Sequence, residues 1–127
     1  CAGCHSLMDP LGLTFEHYDP IGKWRDQDGP ADVDATGHLG GTSDADGDVN
    51  GAVELAQKLS TSRDVRECVA KQVFRYTAGR SETADDACTL AAIENKFAAS
   101  SYDMRELWVA VATSDAFRYR SINGGGR

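Results

Sequence analysis

The sequence predicts a mainly α fold, a small helical bundle that includes a long loop rich in Gly and Asp. Its 127 residues suit one ordinary globular domain. Apolar residues recur at helical spacing through the second half of the chain, whereas residues 26–51 hold few of them. We therefore divide the chain into residues 1–50, an N-terminal motif with the loop, and residues 51–127, a helical segment, packed as one compact unit.

The N-terminal segment is rich in turn residues, since the dipeptides Asp9-Pro10 and Asp19-Pro20 can each begin a short helix. The Gly/Asp-rich loop follows, with one short strand expected over residues 32–35. A loop of this length without regular structure is uncommon inside a compact domain. We therefore expect it to bind something or to wrap around something.

Four helices are expected in the remainder, and the first covers residues 52–60. The second has Ser62 as its N-cap and ends at Gly79, the third starts at Thr83, and the last starts near Ser101. The apolar positions at helical spacing are Val53, Leu55, Leu59, Val65, Val69, Val73, Tyr76, Leu90, Ile93, Phe97, Met104, Leu107, Trp108 and Val111. We expect the tail, residues 121–127, to be frayed.

Composition excludes several classes of function. The formal net charge of -7 argues against nucleic acid or an anionic membrane surface as a partner and favours a cationic one. No apolar run approaches the roughly 20 residues that cross a bilayer, so no membrane span is expected in this segment. The sequence has no glycine-rich phosphate loop, no long internal repeat and no serine nucleophile motif. The chemistry is therefore expected from Cys and His.

The first five residues, CAGCH, have the spacing of a covalent haem site. On one helical turn, Cys1 and Cys4 can form thioethers with the two vinyl groups of a haem. The adjacent His5 can supply the proximal imidazole to the iron from the same side. The sequence therefore predicts one covalent haem c.

Three alternatives compete with haem. A redox dithiol would use the two cysteines alone and gives no reason for the histidine. A zinc site needs a second pair of ligands, and Cys68 and Cys88 lack the usual short spacing. The third alternative is a local disulfide beside an incidental histidine.

A set of residues spread over nearly the whole chain carries a resemblance to a known family. These residues are Cys1, Cys4, His5, Asp9, Pro10, Gly12, Glu16, Asp19, Cys68, Gly79, Arg80 and the stretch Ser114–Phe117. In them the chain is similar to the C-terminal region of large planctomycete-type cytochrome c proteins, also found in myxobacteria, which is described as two adjoining domains of unknown function. The resemblance implies a cytochrome c-like haem protein, secreted or periplasmic, that is a module of a longer chain. It implies no assigned reaction.

Haem c is attached outside the cytoplasm, where thiols are oxidised. We therefore expect a disulfide between Cys68 and Cys88 that joins two helices, worth roughly 3 kcal/mol in the chain-entropy model. The alternative is two buried free thiols, which are common in protein cores.

Several residues are candidates for the sixth iron ligand. We place Met104 first, although its position on an apolar stripe also suits the core, and His38 in the loop second. An open or water-bound site is the third option. Met8 lies too close to His5 to reach the far side of the ring, and His17 is expected at the surface.

A second metal site is conceivable in the loop. Asp46, Asp48 and Asn50 have the alternating spacing of a calcium loop, but Gln57 occupies the position of its bidentate Glu. The alternative, an acidic turn that caps the following helix, is favoured. Calcium stays an alternative to this cap.

The stretch after the motif is expected to form the wall of a haem pocket. Leu11 and Phe15 supply apolar surface, and Trp24 and Arg25 carry donors suited to a haem propionate. We expect Trp24 or Arg25 to contact a propionate, since a half-buried carboxylate needs a donor.

Two functions follow from these expectations. The first is an electron-transfer module whose redox partner is a neighbouring domain, a basic protein or another haem protein. The second is a peroxidase-like or other oxidoreductase haem enzyme with an open distal site, for which Arg25, Arg80 and Glu16 are acid-base candidates by type alone. A purely structural role for the haem comes last.

Overall fold

The structure, a computed structural model, describes residues 1–119 and is mainly α, as predicted. The tail predicted to be frayed lies outside the described residues. The described part contains the helices α1 (Ala2–Gly12), α2 (Gly51–Thr61), α3 (Arg63–Ala78), α4 (Ala87–Ala99), α5 (Met104–Ala112) and α6 (Asp115–Arg118). Single 3₁₀ turns cover Leu13–Phe15 and Ala84–Asp86.

The backbone divides into two compact units, Cys1–Val65 and Arg66–Arg127. The boundary between them lies later than the predicted one at residues 50 and 51, because α2 packs against the first unit, on the 3₁₀ turn and on a strand of the loop. The expectation that both segments pack as one compact unit stays a prediction.

The Gly/Asp-rich loop contains two small antiparallel hairpins. Strand β1 (Gln27–Asp28) pairs with β2 (Ala31–Asp32), and β3 (Thr36–Leu39) pairs with β4 (Gly47–Asn50). The predicted single strand over residues 32–35 is therefore wrong. Each strand spans only two to four residues and buries at most one apolar side chain, so the sequence carries almost no alternation for detecting it.

The core of the first unit lies between this second hairpin, α1 and α2. Its buried residues are Leu39, Ala45, Val49 and Leu55, with Leu11 and Leu59 packed against them. The hairpin approaches α1 very closely at Gly37, where a Cβ atom would lie 2.0 Å from the carbonyl oxygen of Pro10 and 2.6 Å from the Thr14 methyl group. Only glycine fits this contact between β3 and α1.

The second unit encloses its own core among α3, α4 and α5. The buried residues are Ala70, Phe74, Leu90, Ile93, Phe97, Leu107, Ala110 and Val111, with Val69, Val73, Ala78 and Ala116 packed against them. Most of the predicted apolar face is confirmed, but Tyr76, Met104 and Trp108 are exposed. On α3 the buried face centres on Ala70 and Phe74, which turns Tyr76 outward.

The ends of α3 and α4 follow the sequence signals, whereas Asp9-Pro10 lies inside α1 and Asp19-Pro20 begins no helix. A Ser62 hydroxyl accepts from the Val65 N–H, Gly79 has φ of 64° after the end of α3, and Thr83 forms a capping box before α4. The last long helix begins at Met104 instead of near residue 101, because Ser101 and Tyr102 both have left-handed backbone conformations.

The Tyr102 ring explains this left-handed turn. It lies edge-on against Phe97, with 5.2 Å between the two ring centroids. The Arg66 guanidinium lies 3.9 Å from the centroid of the Tyr102 ring. Contacts on both sides hold the side chain in place and stabilise a backbone conformation that is costly for a bulky residue.

Candidate functional site

The residues of the CAGCH motif lie on the first turn of α1. Cys1 is the N-cap, and its carbonyl oxygen accepts from the N–H groups of Cys4 and His5 at 3.3 and 3.1 Å. Spacings of three and four residues place both thiols and the imidazole on one side of the helix. Both thiols are free, and all three side chains are exposed, so a planar group can approach them together.

The imidazole of His5 is oriented by a carboxylate one turn along the helix. Its Nδ1 lies 3.0 and 3.3 Å from the two carboxylate oxygens of Asp9. Since a carboxylate only accepts hydrogen bonds, this contact places the proton on Nδ1. Nε2 then carries the lone pair that a metal needs.

Apolar side chains around this motif are left uncovered. No residue of α1 is buried, and the exposed fractions of Leu7 and Met8 are 76% and 63%. Leu13 and Phe15, which follow the helix, are also exposed. Leu11 differs, since it is half-buried and packs on the core of the first unit.

The two donors expected to contact a propionate already have partners within the chain. The Arg25 guanidinium donates to the carbonyl and carboxylate of Glu16 at 2.9 and 2.8 Å, and it lies 3.2 Å from Asp28. The Trp24 indole N–H donates to Asp26 at 2.9 Å. These donors hold the turn between residues 16 and 28, and the expected propionate contact stays a prediction.

His17 belongs to the same turn. Its ring stacks on Trp24 with 4.4 Å between centroids and an angle of 4°, and its Nδ1 lies 2.9 Å from the carbonyl oxygen of Arg25. It is half-buried, so its place is more enclosed than the expected surface position. The role of this stack is to brace the turn.

His38, a predicted sixth ligand, lies in β3 and is exposed. Its Nδ1 is 2.7 Å from a carboxylate oxygen of Asp48 on the paired strand, which leaves Nε2 free in the same way as for His5. It lines a cavity of about 560 Å³ together with Pro10 and Leu13 from the end of α1. His38 and the haem motif therefore belong to one compact unit.

Met104, the other candidate, lies in the second unit at the first position of α5. It is 45% exposed, whereas Leu107 and Val111 on the same helix are buried. The reading of Met104 as a core residue is therefore wrong. A thioether at the solvent-facing start of a helix is available to a ligand.

The three residues of the candidate calcium loop serve different purposes. The Asp46 carboxylate accepts from the backbone of Gly41 and from the backbone and hydroxyl of Thr42, and these bonds, the hydroxyl first, lower its pKa. Asp48 binds His38, and Asn50 is the N-cap of α2. Among residues 1–119, no group of three or more His, Cys, Asp or Glu side chains is arranged to hold a metal.

The predicted disulfide is not formed, since Cys68 and Cys88 are both free and exposed. Cys68 lies two residues before the buried Ala70 on α3, which is about half a turn around the helix, and its side chain is exposed. Cys88 lies about half a turn away from the buried Leu90. Helical spacing therefore directs both thiols to the outer faces of their helices, where they cannot pin the helices together through the core.

Sequence reasoning missed the ion pairs of the second unit. The Arg80 guanidinium donates to both carboxylate oxygens of the buried Asp86 at 2.6 and 2.9 Å, and this pair lowers the pKa of Asp86. Arg75 binds Glu82 in the same bidentate manner and lowers its pKa to about 2. The capping signal at Thr83 identifies Asp86, but nothing in the spacing identifies its arginine.

No helix within residues 1–119 is long and apolar enough to cross a membrane. Family comparison matches residues 46–117 to the family described as "Protein of unknown function (DUF1585)", and residues 1–28 to the family described as "Protein of unknown function (DUF1588)". No curated protein and no solved structure matches the chain significantly. The two matches confirm the predicted resemblance at the level of two adjoining domains without an assigned activity.

Proposed function

We propose that this chain, which belongs to the family described as "Protein of unknown function (DUF1585)", is a c-type cytochrome module that binds one covalent haem and transfers electrons. The observation that carries the proposal is the first turn of α1. There two free thiols and an imidazole with a free Nε2 lie on one exposed side of the helix.

The donor set fits the chemistry of attachment. Each S–H group of Cys1 and Cys4 adds across one vinyl double bond, so that sulfur bonds one vinyl carbon, hydrogen goes to the other, and no oxidant is consumed. His5 supplies a neutral nitrogen ligand from the same turn. Once bound, haem c supplies one-electron chemistry at its iron.

The uncovered apolar side chains support the same proposal. Leu7, Met8, Leu13 and Phe15 follow the motif within one compact unit and are left exposed. Large apolar side chains left exposed within a short stretch of the chain are a feature of binding sites. A largely apolar porphyrin ring is a suitable ligand for it.

Ion pairs favour electron transfer over enzyme chemistry. Of the acid-base candidates, Arg25 and Glu16 are bound to each other, and Arg80 is bound to the buried Asp86. A distal catalytic set needs groups that can reach a bound substrate. These residues instead hold a turn and a helix start together.

The sixth ligand stays a prediction with two candidates, and each predicts its own spectrum. Met104 would give the weak charge-transfer band in the red that marks thioether-to-ferric coordination, together with a raised midpoint potential. His38 would give a low-spin spectrum without that band and a lower potential. High-spin features would instead indicate the open site of the enzyme alternative.

The experiment that tests the proposal is export of the chain to the periplasm of a bacterium with a cytochrome c maturation system. We expect the denatured protein to carry the added mass of one haem, and its visible spectrum to change on reduction. Replacing both Cys1 and Cys4 by Ser should abolish the added mass, because the thioethers are then lost.

The matched control replaces the other two cysteines. Cys68→Ser with Cys88→Ser removes the same number of thiols from the second unit and should leave haem attachment unchanged. A wild-type chain without haem, in which all four thiols react with an alkylating reagent, would contradict the proposal. Haem attachment outside the cytoplasm would also place this module in the periplasm or the extracellular space.

A further inference from the structure

The contact between His5 and Asp9 has a consequence for the haem itself. Resting on the proposed function, we infer that Asp9 is the positioning residue of His5: its carboxylate holds Nδ1–H, keeps Nε2 available for iron and lowers the midpoint potential of the bound haem. The observation is the pair of distances, 3.0 and 3.3 Å, from Nδ1 to the two carboxylate oxygens.

The backbone that carries Asp9 is fixed by packing. Its carbonyl oxygen accepts from the N–H of Leu13, which closes the end of α1. The next residue, Pro10, has its carbonyl oxygen against the Cα of Gly37 in β3, a contact so close that no Cβ fits there. The Thr14 hydroxyl donates to the Leu11 carbonyl at 2.7 Å on the same stretch. The backbone that carries the carboxylate is therefore held by contacts with β3 and with the turn that follows α1.

The charge of the acceptor determines what the hydrogen bond does to the iron. A carboxylate on Nδ1–H increases electron density on the imidazole and makes Nε2 a stronger donor. A stronger donor stabilises ferric over ferrous iron. His17 provides the contrast within the same unit, since its Nδ1 meets a neutral backbone carbonyl, that of Arg25, at 2.9 Å.

The test is the midpoint potential of the haem-loaded protein with Asp9→Asn. This variant keeps a hydrogen-bond acceptor of the same shape and removes the charge. We expect the ferrous-to-ferric ratio at a fixed ambient potential to rise about tenfold, which corresponds to about 59 mV for a one-electron couple. Asp9→Glu, which restores a carboxylate within reach on the helix, should recover most of the shift.

The charge-matched control is Asp32→Asn. Asp32 is exposed in β2, where it accepts a long hydrogen bond from Gln27 at 3.3 Å. Its replacement removes the same charge from the first unit without touching His5. Equal shifts in the Asp9 and Asp32 variants would overturn the inference, because the effect would then be one of net charge alone.

A second readout uses the unaltered protein, in case Asp9→Asn does not assemble. In the diamagnetic ferrous form, the Nδ1 nitrogen of His5 should have a chemical shift displaced from that of an imidazole in water, because it donates to a carboxylate. A chemical shift equal to that of imidazole in water would overturn the inference. A chain that carries no haem would instead contradict the proposed function. The mass of the wild-type protein, measured beforehand, shows whether haem is attached.

Discussion

Asp86 joins the end of α3 to the beginning of α4 through a single carboxylate. It is buried, accepts two hydrogen bonds from Arg80, and also accepts the N–H and hydroxyl of Thr83 at 2.8 and 2.9 Å. One side chain therefore satisfies a helix N-terminus and an arginine together. Its loss removes these four hydrogen bonds at once.

We predict that Asp86→Ala lowers the free energy of unfolding by about 2 kcal/mol, the range for hydrogen bonds to a charged group. The measurement is urea unfolding followed by circular dichroism. Asp85→Ala is the matched control, since it removes the same charge from an exposed neighbour in the same turn. Equal losses in both variants would mean that the bidentate pair contributes nothing of its own.

The role of a single residue was predictable where its partner lies within a few positions in the sequence. It was not predictable where the partner lies further along the chain. The roles of Ser62, Gly79 and Thr83 follow from chemistry within three or four residues of each helix end, and they are confirmed. The bond from Arg25 to Glu16, nine positions away, was not among the expectations. Such a partner depends on how a turn folds back, which no short spacing encodes.

At the scale of elements, Gly37 controls how closely β3 lies against α1. A methyl group there would overlap the Pro10 carbonyl oxygen and the Thr14 side chain. Neither can move aside, because one is backbone and the other belongs to a fully buried residue. The spacing between strand and helix is therefore set at this position.

We predict that Gly37→Ala destabilises the protein by about 2 kcal/mol through overpacking, as measured by thermal or urea unfolding. Gly12→Ala is the control, because Gly12 has helical dihedral angles and open space where its Cβ would lie. That variant should be neutral or more stable by up to about 1 kcal/mol. Unchanged stability in Gly37→Ala would show that α1 can shift away from β3.

The helices α2 to α5 were predictable as elements because each carries two or more turns of apolar spacing, whereas the single turn of α6 was not predicted. Leu90, Ile93 and Phe97 define α4 in this way, and all three are buried. The β3–β4 hairpin buries only Leu39 and Val49, one side chain for each strand, so its alternation is too short to recognise. Its existence depends on pairing across a connection of seven residues, 40–46, which is a property of the folded chain.

For the molecule as a whole, acid is expected to weaken the fold. Hydrogen bonds and ion pairs lower the pKa of Glu82 from its ordinary value of 4.5 to about 2, and they also lower the pKa of Asp86, Asp44 and Asp34. A carboxyl group whose pKa is depressed in the folded state adds stability above its unfolded pKa. That stability is lost as the pH falls through the folded value.

We therefore predict that the free energy of unfolding is constant near neutral pH and falls between about pH 4.5 and pH 2. Urea unfolding at a series of pH values measures it. Glu82→Gln should flatten part of the acid slope, and Arg75→Ala should flatten the same part, because the Arg75 hydrogen bond is the main cause of the shift. An unchanged slope in both variants would assign the acid sensitivity to other groups.

The exposure of α1 separates the residues that would hold the cofactor from the residues that hold the fold. The core of the first unit closes around Leu39, Val49 and Leu55 without any contribution from the cysteine-bearing turn. Under the proposed function, substitutions at Cys1 and Cys4 can therefore abolish attachment of the cofactor and leave the packing of this core unchanged.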